Sequence, residues 1–127
     1  MLLIESINLR KYKNKKSKIN KPLILGTVGS LIKRKSIDHI INALKIIRTD
    51  FDIDAYLIVV GDGVERNNLL KYAEKTGLKN YISFVGFSQQ PLFWIQKMDI
   101  FILSSPKESF GRVIVEAMSC RKPVIAS

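Results

Sequence analysis

The sequence predicts an α/β domain in which helices cover both faces of a parallel β-sheet. Short apolar runs alternate four times with helical segments, and the connections between them are short. The apolar runs are continuous rather than alternating, which is typical of strands that are buried on both faces. Parallel strands joined through helices cross over in the right-handed sense. Together these features predict a doubly wound, Rossmann-like parallel sheet.

The first part of this domain contains two strands with a helix between them. Residues 23–28 form an apolar run that ends at Gly29, as expected for a buried strand. Residues 55–60 form a second such run, which the Gly61-Asp62-Gly63 turn ends. Between the two strands a helix begins at Ser36. Its inward face is predicted to consist of Ile37, Ile40, Ile41, Leu44 and Ile47.

The second part of the domain continues the same alternation. A helix that carries Leu69, Leu70 and Ala73 ends near Gly77, and a third strand follows over residues 81–85. The remaining predicted elements are a short helix over residues 91–97, a strand over 100–103, a helix over 110–120 and a strand over 123–126.

Ligands bind to sheets of this kind at the edge formed by the carboxyl ends of the strands. We expect four turns to meet at that edge, namely residues 28–30, 61–63, 85–87 and 104–111. Gly61 and Gly63 either let the backbone approach a ligand closely or only make a tight strand-to-helix turn. The turn is not a dinucleotide-binding fingerprint, because Arg66 stands where the third glycine would be.

The composition is that of a globular domain with a strong basic excess. The chain has a net charge of +10 and a single cysteine, Cys120, which excludes an internal disulfide and suits a reducing cytosol. No apolar run reaches the roughly 18 residues that span a bilayer. Residues 1–21 are predicted to be a basic linker or arm, either solvated or in contact with anionic lipid. Nucleic-acid binding is disfavoured, because no aromatic stacking platform accompanies the charge.

Residues 104–116 carry the most specific pattern. Residues 110–112 stand at the predicted start of a helix, where unpaired N–H groups and the helix dipole favour a diphosphate. Glu108 precedes this helix and, taken alone, is also explained as a helix cap. Glu116 lies within the helix among apolar neighbours, so its carboxylate needs a partner, such as a pair of ligand hydroxyls.

Lys35 is the candidate cation for such a diphosphate. Lys35 comes six residues after Gly29, the glycine that ends the first predicted strand. A cation at this place could neutralise a phosphate held near the helix start. By spacing alone, residues 33–35 are better explained as a charged surface turn. Acidic and cysteine residues are not spaced around His39 in the way that would indicate a metal site.

Taken together, these motifs resemble the C-terminal, nucleotide-sugar-binding domain of the glycosyl transferases group 1 family. The stretch TVGSLIKRKS is similar to the family's V-G-R-L-x-x-x-K-G, and LIVVGDGVERNNLL is similar to its I-V-G-D-G-x-x-x-x-x-L. The block MDIFILSSPKESFGRVIVEAMSCRKPVIAS resembles the family's long motif around E-x-F-G-x-x-x-x-E-A-M. The stretch ESINLRKYK is similar to the linker between the family's two domains.

The resemblance implies a fold and an activity. The fold would be one half of a GT-B fold, truncated at both ends, with an interdomain linker over residues 1–21 and an incomplete donor-binding domain over residues 22–127. The activity would be retaining glycosyl transfer, of the hexosyltransferase type, from a nucleotide diphosphate sugar to a glycan or lipid-linked acceptor in polysaccharide biosynthesis. Neither a metal nor a cofactor is implied. The implied location is the cytoplasm, including the inner membrane face.

An acceptor domain is the partner that the resemblance implies. In the family this domain lies on the N-terminal side, and the active cleft lies between the two domains. The isolated chain is therefore expected to be inactive unless a separate chain supplies the other half. A non-catalytic nucleotide-binding module is the alternative function.

The resemblance also assigns roles to individual residues. Glu108 and Lys35 would be catalytic, because Glu108 would contact the donor sugar and Lys35 would neutralise the leaving diphosphate. Glu116 would bind the ribose hydroxyls, and the region of Val85 and Gly86 would meet the base. The other implied donor contacts are Ser30, Arg34, Gly61, Gly63, Ser109, Phe110, Gly111, Arg112 and Val113.

Three positions depart from the family pattern. Ser30 replaces an arginine that shares the phosphate charge with the lysine, and Arg34 is the candidate to take its place. Ser36 replaces a glycine, which we expect to be tolerated. Arg121 replaces another glycine and would be strained if its φ were positive.

Overall fold

The computed structural model describes residues 21–103 and 123–126. These residues form one sheet of parallel strands in the order β3-β2-β1-β4-β5. The strands are β1 (Leu23–Val28), β2 (Ala55–Val60), β3 (Ile82–Gly86), β4 (Ile100–Leu103) and β5 (Val124–Ala126). The predicted doubly wound parallel sheet is therefore confirmed.

Helices connect the strands as the apolar pattern predicts. They are α1 (Ile37–Thr49), α2 (Arg66–Lys75) and α3 (Pro91–Ile95), with 3₁₀ turns at Lys33–Lys35 and Lys79–Tyr81. Within the described residues, no helix combines the length and the apolar character needed to cross a bilayer. The predicted helix over residues 110–120 and almost all of the predicted arm over residues 1–21 lie outside the described residues.

Several predicted boundaries shift by one or two residues, and short turns explain the start of β3 and the end of α3. The N–H of Tyr81 donates to the Leu78 carbonyl at 2.9 Å, so β3 begins only at Ile82. After α3, the N–H groups of Lys97 and Met98 each bond three residues back, which ends the α-helical pattern at Ile95. Hydrogen bonds of this i to i+3 type are common at helix ends.

Helices α1 and α2 cover one face of the sheet. All five residues predicted for the inward face of α1 are buried. In α2, Leu69 and Ala73 are buried, whereas Leu70 is 38% exposed. A helix turns by about 100° per residue, so Leu70 points away from the line that joins Leu69 and Ala73. The core on this face includes Leu25, Leu57, Val59, Ile100 and Ile102 from the strands.

The other face of the sheet packs against α3 and the turn that follows it. Its core consists of Val60, Ile95, Met98, Phe101 and Leu103. Because successive residues of a strand point to opposite faces, Phe101 and Leu103 enter this core, while their neighbours enter the first one. The strands are therefore covered on both sides, which explains why their sequences are continuously apolar.

Charged and aromatic side chains close the amino edge of the sheet. The guanidinium of Arg48 donates to the Ala55 carbonyl at 2.6 Å and lies 3.4 Å from the centroid of the Tyr81 ring. A hydrogen bond with Asp54 is the main cause that raises the pKa of Tyr56 above its ordinary value. These contacts tie the end of α1 to β2 and to the turn before β3, away from the carboxyl edge.

Candidate functional site

Backbone hydrogen bonds join the turns at the carboxyl edge. The N–H of Gly29 donates to the Val60 carbonyl at 2.9 Å, which links the ends of β1 and β2. The N–H of Gly61 donates to the Gly86 carbonyl at 2.7 Å and links β2 to β3. The predicted meeting of these three turns at one edge is confirmed. The fourth turn, residues 104–111, follows β4, which pairs with β1, but lies outside the described residues.

The second turn packs directly against the first. A Cβ on Gly61 would lie 1.8 Å from the Gly29 carbonyl oxygen, and a Cβ on Gly63 would lie 2.5 Å from the Leu31 carbonyl oxygen. The carboxylate of Asp62 accepts a bond from the N–H of Gly63 at 2.8 Å and stabilises the turn. Backbone packing therefore explains both glycines, so their bare Cα atoms do not by themselves indicate a ligand.

Gly86 differs from these glycines because no described residue packs against its missing side chain. Its φ is +89°, and a Cβ built on it would have no atom of another described residue within 4 Å. Val85 beside it is partly exposed, and the Phe87 side chain is 75% exposed. The positive φ therefore explains the glycine here, and packing among the described residues does not.

Lys35 reaches this edge from the 3₁₀ turn. Its Cε lies 3.9 Å from the position that a Cβ on Gly29 would occupy, so the side chain passes over the end of β1. Lys35 is partly buried, whereas Lys33 and Arg34 of the same turn are exposed. Residues 33–35 are thus a charged surface turn, as spacing alone suggested, but the Lys35 side chain extends from it over the end of β1.

The residue after Lys35 sets the direction of the chain into α1. Ser36 has φ 51° and ψ 42°, the left-handed conformation that usually requires glycine. Ser36 therefore occupies, at an energetic cost, the backbone position at which the similar family has glycine. Ser30 is exposed at the end of β1.

The structure thus brings part of the predicted donor site together. Ser30, Lys35, Gly61, Gly63 and Gly86 lie at the carboxyl edge or in the turns that form it. Val85 precedes Gly86 in β3, and Arg34 is exposed beside Lys35. The other predicted site residues lie outside the described residues. They are Glu108, Ser109, Phe110, Gly111, Arg112, Val113 and Glu116. Arg121 also lies outside the described residues.

Sequence reasoning missed a cleft of about 450 Å³ between the first turns of α1 and α2. Its α2 side presents Glu65, Asn68 and Tyr72, whose spacing of three and four residues places them on one helix face. That spacing was the available signal. Among residues 21–103 and 123–126, no three histidine, cysteine or acidic side chains form a group that could hold a metal ion.

Comparison with known sequences places these features in a family. The profile of the family described as glycosyl transferases group 1 matches residues 9–127. The chain is 30% identical over 105 residues to the O-antigen biosynthesis glycosyltransferase WclY of Escherichia coli. The aligned region covers 83% of this chain and 28% of WclY. It is 32% identical over 104 residues to N-acetyl-alpha-D-glucosaminyl L-malate synthase of Bacillus anthracis. This alignment covers 82% of this chain and 27% of that protein.

Solved structures show the same relationship. Anabaena HepE in complex with UDP matches with a TM-score of 0.72 and 28% identity, over 91% of this chain and 32% of HepE. HepE in complex with UDP-glucose matches with a TM-score of 0.74, over 93% of this chain and 33% of HepE. The chain spans about a third or less of the length of these proteins. Because the family profile matches residues 9–127, and so includes the strands and turns of the carboxyl edge, the chain belongs to the glycosyl transferases group 1 family.

Proposed function

We propose that the chain is the donor-binding half of a retaining GT-B glycosyltransferase and binds a nucleotide diphosphate sugar at its carboxyl edge. The position of Lys35, whose side chain passes over Gly29 at the end of β1, is the observation that carries this proposal. A lysine there lies at the edge at which α/β sheets bind ligands. The structures of HepE with UDP and with UDP-glucose support the ligand class.

Charge stabilisation is the chemical task of this edge. Transfer breaks the bond between the anomeric carbon of the sugar and the diphosphate, so negative charge grows on the diphosphate. The ammonium of Lys35 stabilises that charge, and the backbone N–H groups of residues 110–113 donate to the same oxygens. Groups that are already oriented toward developing charge lower the barrier most effectively.

The two glutamates of the 104–116 segment take the remaining parts of the donor. Glu116 accepts hydrogen bonds from the ribose hydroxyls, and Glu108 contacts the sugar and supports the charge shift at its anomeric carbon. The base lies beside Val85 and Gly86, where no described residue packs against the missing Cβ of Gly86. Gly61 and Gly63 act indirectly, because they let the second turn pack against the first.

The affinity of the whole chain for UDP tests this site. Lys35→Ala and Glu116→Ala should each weaken UDP binding by about tenfold or more in isothermal titration calorimetry, since each removes a hydrogen bond that involves a charged group. Lys33 is an exposed lysine of the same turn, so Lys33→Ala is the matched control and should leave the affinity for UDP almost unchanged. Equal affinities for the Lys35 and Lys33 variants would contradict the proposed role of Lys35.

Transfer itself requires the second half of the cleft. We propose that the chain alone does not turn over a donor and that an N-terminal acceptor domain, in the same or a separate chain, completes the site. Mixing the chain with candidate acceptor domains and UDP-glucose tests this directly. Turnover only in the mixture supports the proposal, whereas turnover by the chain alone would refute the need for a partner.

A non-catalytic nucleotide-binding module is the second candidate. It is favoured by Ser30, which is exposed where the similar family has an arginine that shares the phosphate charge. In a transferase half, Arg34 takes the place of that arginine, so Arg34→Ala should weaken UDP binding as Lys35→Ala does. Binding of UDP without turnover in any mixture, and without any effect of Arg34→Ala, would favour the module.

We also propose that the chain works in the cytoplasm at an anionic membrane surface. Between residues 10 and 21 there are seven basic residues and no acidic ones. Each well-placed cation contributes about 1 kcal/mol to binding at an anionic leaflet. Sedimentation with vesicles should show binding that requires anionic lipid and that falls with added salt. Equal sedimentation with neutral vesicles would contradict this proposal.

A further inference from the structure

The cleft between α1 and α2 lies outside the proposed donor site. Of the predicted donor-site residues that the structure describes, none lines it. Its volume of about 450 Å³ is within the range of small-molecule sites. Its polar lining includes Lys33, Asp38, His39, Glu65, Asn68 and Tyr72.

Hydrogen bonds hold the α2 side of this cleft in place. The amide of Asn68 donates to one oxygen of the Glu65 carboxylate at 3.0 Å. The hydroxyl of Tyr72 donates to Asn42 of α1, which fixes the Tyr72 ring between the two helices. Ile37 and Leu69, both buried, form the apolar base. The side chains of Glu65, Asn68 and Tyr72 are therefore oriented before a ligand arrives, which reduces the entropic cost of binding.

The charges of the cleft select against ions. The carboxylates of Asp38 and Glu65 repel an anion such as a phosphate. Lys33 repels a cation, and His39 lies 3.9 Å from the Asp38 carboxylate. What remains is a mixture of hydrogen-bond donors and acceptors around an apolar base with an aromatic side chain.

A neutral polyhydroxylated ring satisfies this combination. Its hydroxyls donate to the carboxylates of Asp38 and Glu65 and accept from Lys33, while its C–H face packs on apolar and aromatic atoms. We propose that the cleft between α1 and α2 is a second site that binds a saccharide unit, separate from the nucleotide edge. Saccharide binding here requires no nucleotide, so it can be measured whether or not the carboxyl edge binds UDP.

Amide chemical shifts of the ¹⁵N-labelled full chain test this site. The probes are the methyl α-glycosides of glucose, galactose and mannose, at millimolar concentrations. At least one should cause saturable shifts at His39, Asn68 and Tyr72. Asn68→Ala removes the amide that orients the Glu65 carboxylate and should weaken that binding by about fivefold, whereas the neighbouring Asn67→Ala should not change it. Asn67 is exposed on α2 and does not line the cleft, so it is a matched control.

Three results would overturn the proposal. The first is the absence of saturable shifts at the cleft with all three glycosides. The second is equal affinity in the Asn68 and Asn67 variants. The third is saturation of the same amides by inorganic phosphate or by Mg²⁺, which would make the cleft an ion site. Glu65→Gln keeps the side-chain shape and reports on the carboxylate if Asn68→Ala disturbs the fold.

Discussion

At the scale of single residues, Ser36 shows how a departure from the family pattern is accommodated. Its left-handed backbone connects the Lys33–Lys35 turn to α1, and a non-glycine residue in this conformation costs about 1–2 kcal/mol. The family's glycine at this position therefore has a conformational explanation. Serine is tolerated, as the sequence led us to expect, but it stores strain next to the lysine that reaches the carboxyl edge.

Replacing Ser36 by glycine should stabilise the chain. The strain is relieved, and the greater freedom of glycine in the unfolded chain offsets part of the gain, so Ser36→Gly should raise the free energy of unfolding by about 0.5–1 kcal/mol. Urea denaturation measures this. Ser83→Gly, at an exposed position within β3, is the control and should lower stability instead. A loss of stability in Ser36→Gly would show that the left-handed backbone is not the dominant cost.

Gly61 illustrates the opposite case, in which the side chain is excluded by packing. Gly61→Ala places a Cβ against the Gly29 carbonyl and should lower the free energy of unfolding by about 3 kcal/mol or more. Gly77→Ala is the control, because Gly77 also has a positive φ but no atom of the described residues lies within 4 Å of its missing Cβ. Its cost should be only the conformational strain of about 1 kcal/mol. Equal costs in urea denaturation would contradict the packing explanation.

At the scale of elements, Asp99 joins β4 to β1. Its carboxylate accepts a bond from the N–H of Ile24 at 2.8 Å, and its own N–H donates to the Ile24 carbonyl at 2.7 Å. In the sequence, Asp99 is the aspartate of the MDIF motif, which resembles the family's A-D-[IV]-F. The structure therefore gives this motif residue a structural role just before β4, whereas the resemblance assigns the two glutamates of the same block to the donor.

The contribution of this link is measurable. Asp99→Ala removes the acceptor for the Ile24 N–H and should destabilise the chain by about 1–2 kcal/mol, since the variant loses a charge-assisted hydrogen bond. Asp99→Asn keeps an oxygen in the same place and should cost clearly less. Thermal unfolding of both variants compares them. If the asparagine variant were as unstable as the alanine variant, the charge rather than the hydrogen bond would be responsible.

The elements also show why some boundaries are harder to predict than others. The runs at β1 and β2 were predicted to the residue, because they are continuously apolar and each ends at a glycine. The start of β3 and the end of α3 depend on individual turn hydrogen bonds, which the apolar pattern does not contain.

At the scale of the whole molecule, parallel pairing explains how much of the site was predictable. The carboxyl ends of parallel strands must lie at one edge, so the meeting of the three turns followed from the strand assignment. The need for glycine at positions 61 and 63 did not follow from the strand assignment, because their backbone neighbours belong to another turn that is distant in sequence. The cleft between α1 and α2 likewise depends on how two helices sit on the sheet.

The account rests on diphosphate binding at this edge, and the amide shifts that UDP causes in the ¹⁵N-labelled full chain test it most directly. We predict saturable shifts at Ser30, Lys35 and Gly86, with little change at Arg48 and Tyr81 on the amino edge. Lys35→Ala should weaken the shifts at Ser30 and Gly86 together. Saturable shifts confined to other regions, or none at the carboxyl edge, would contradict the account.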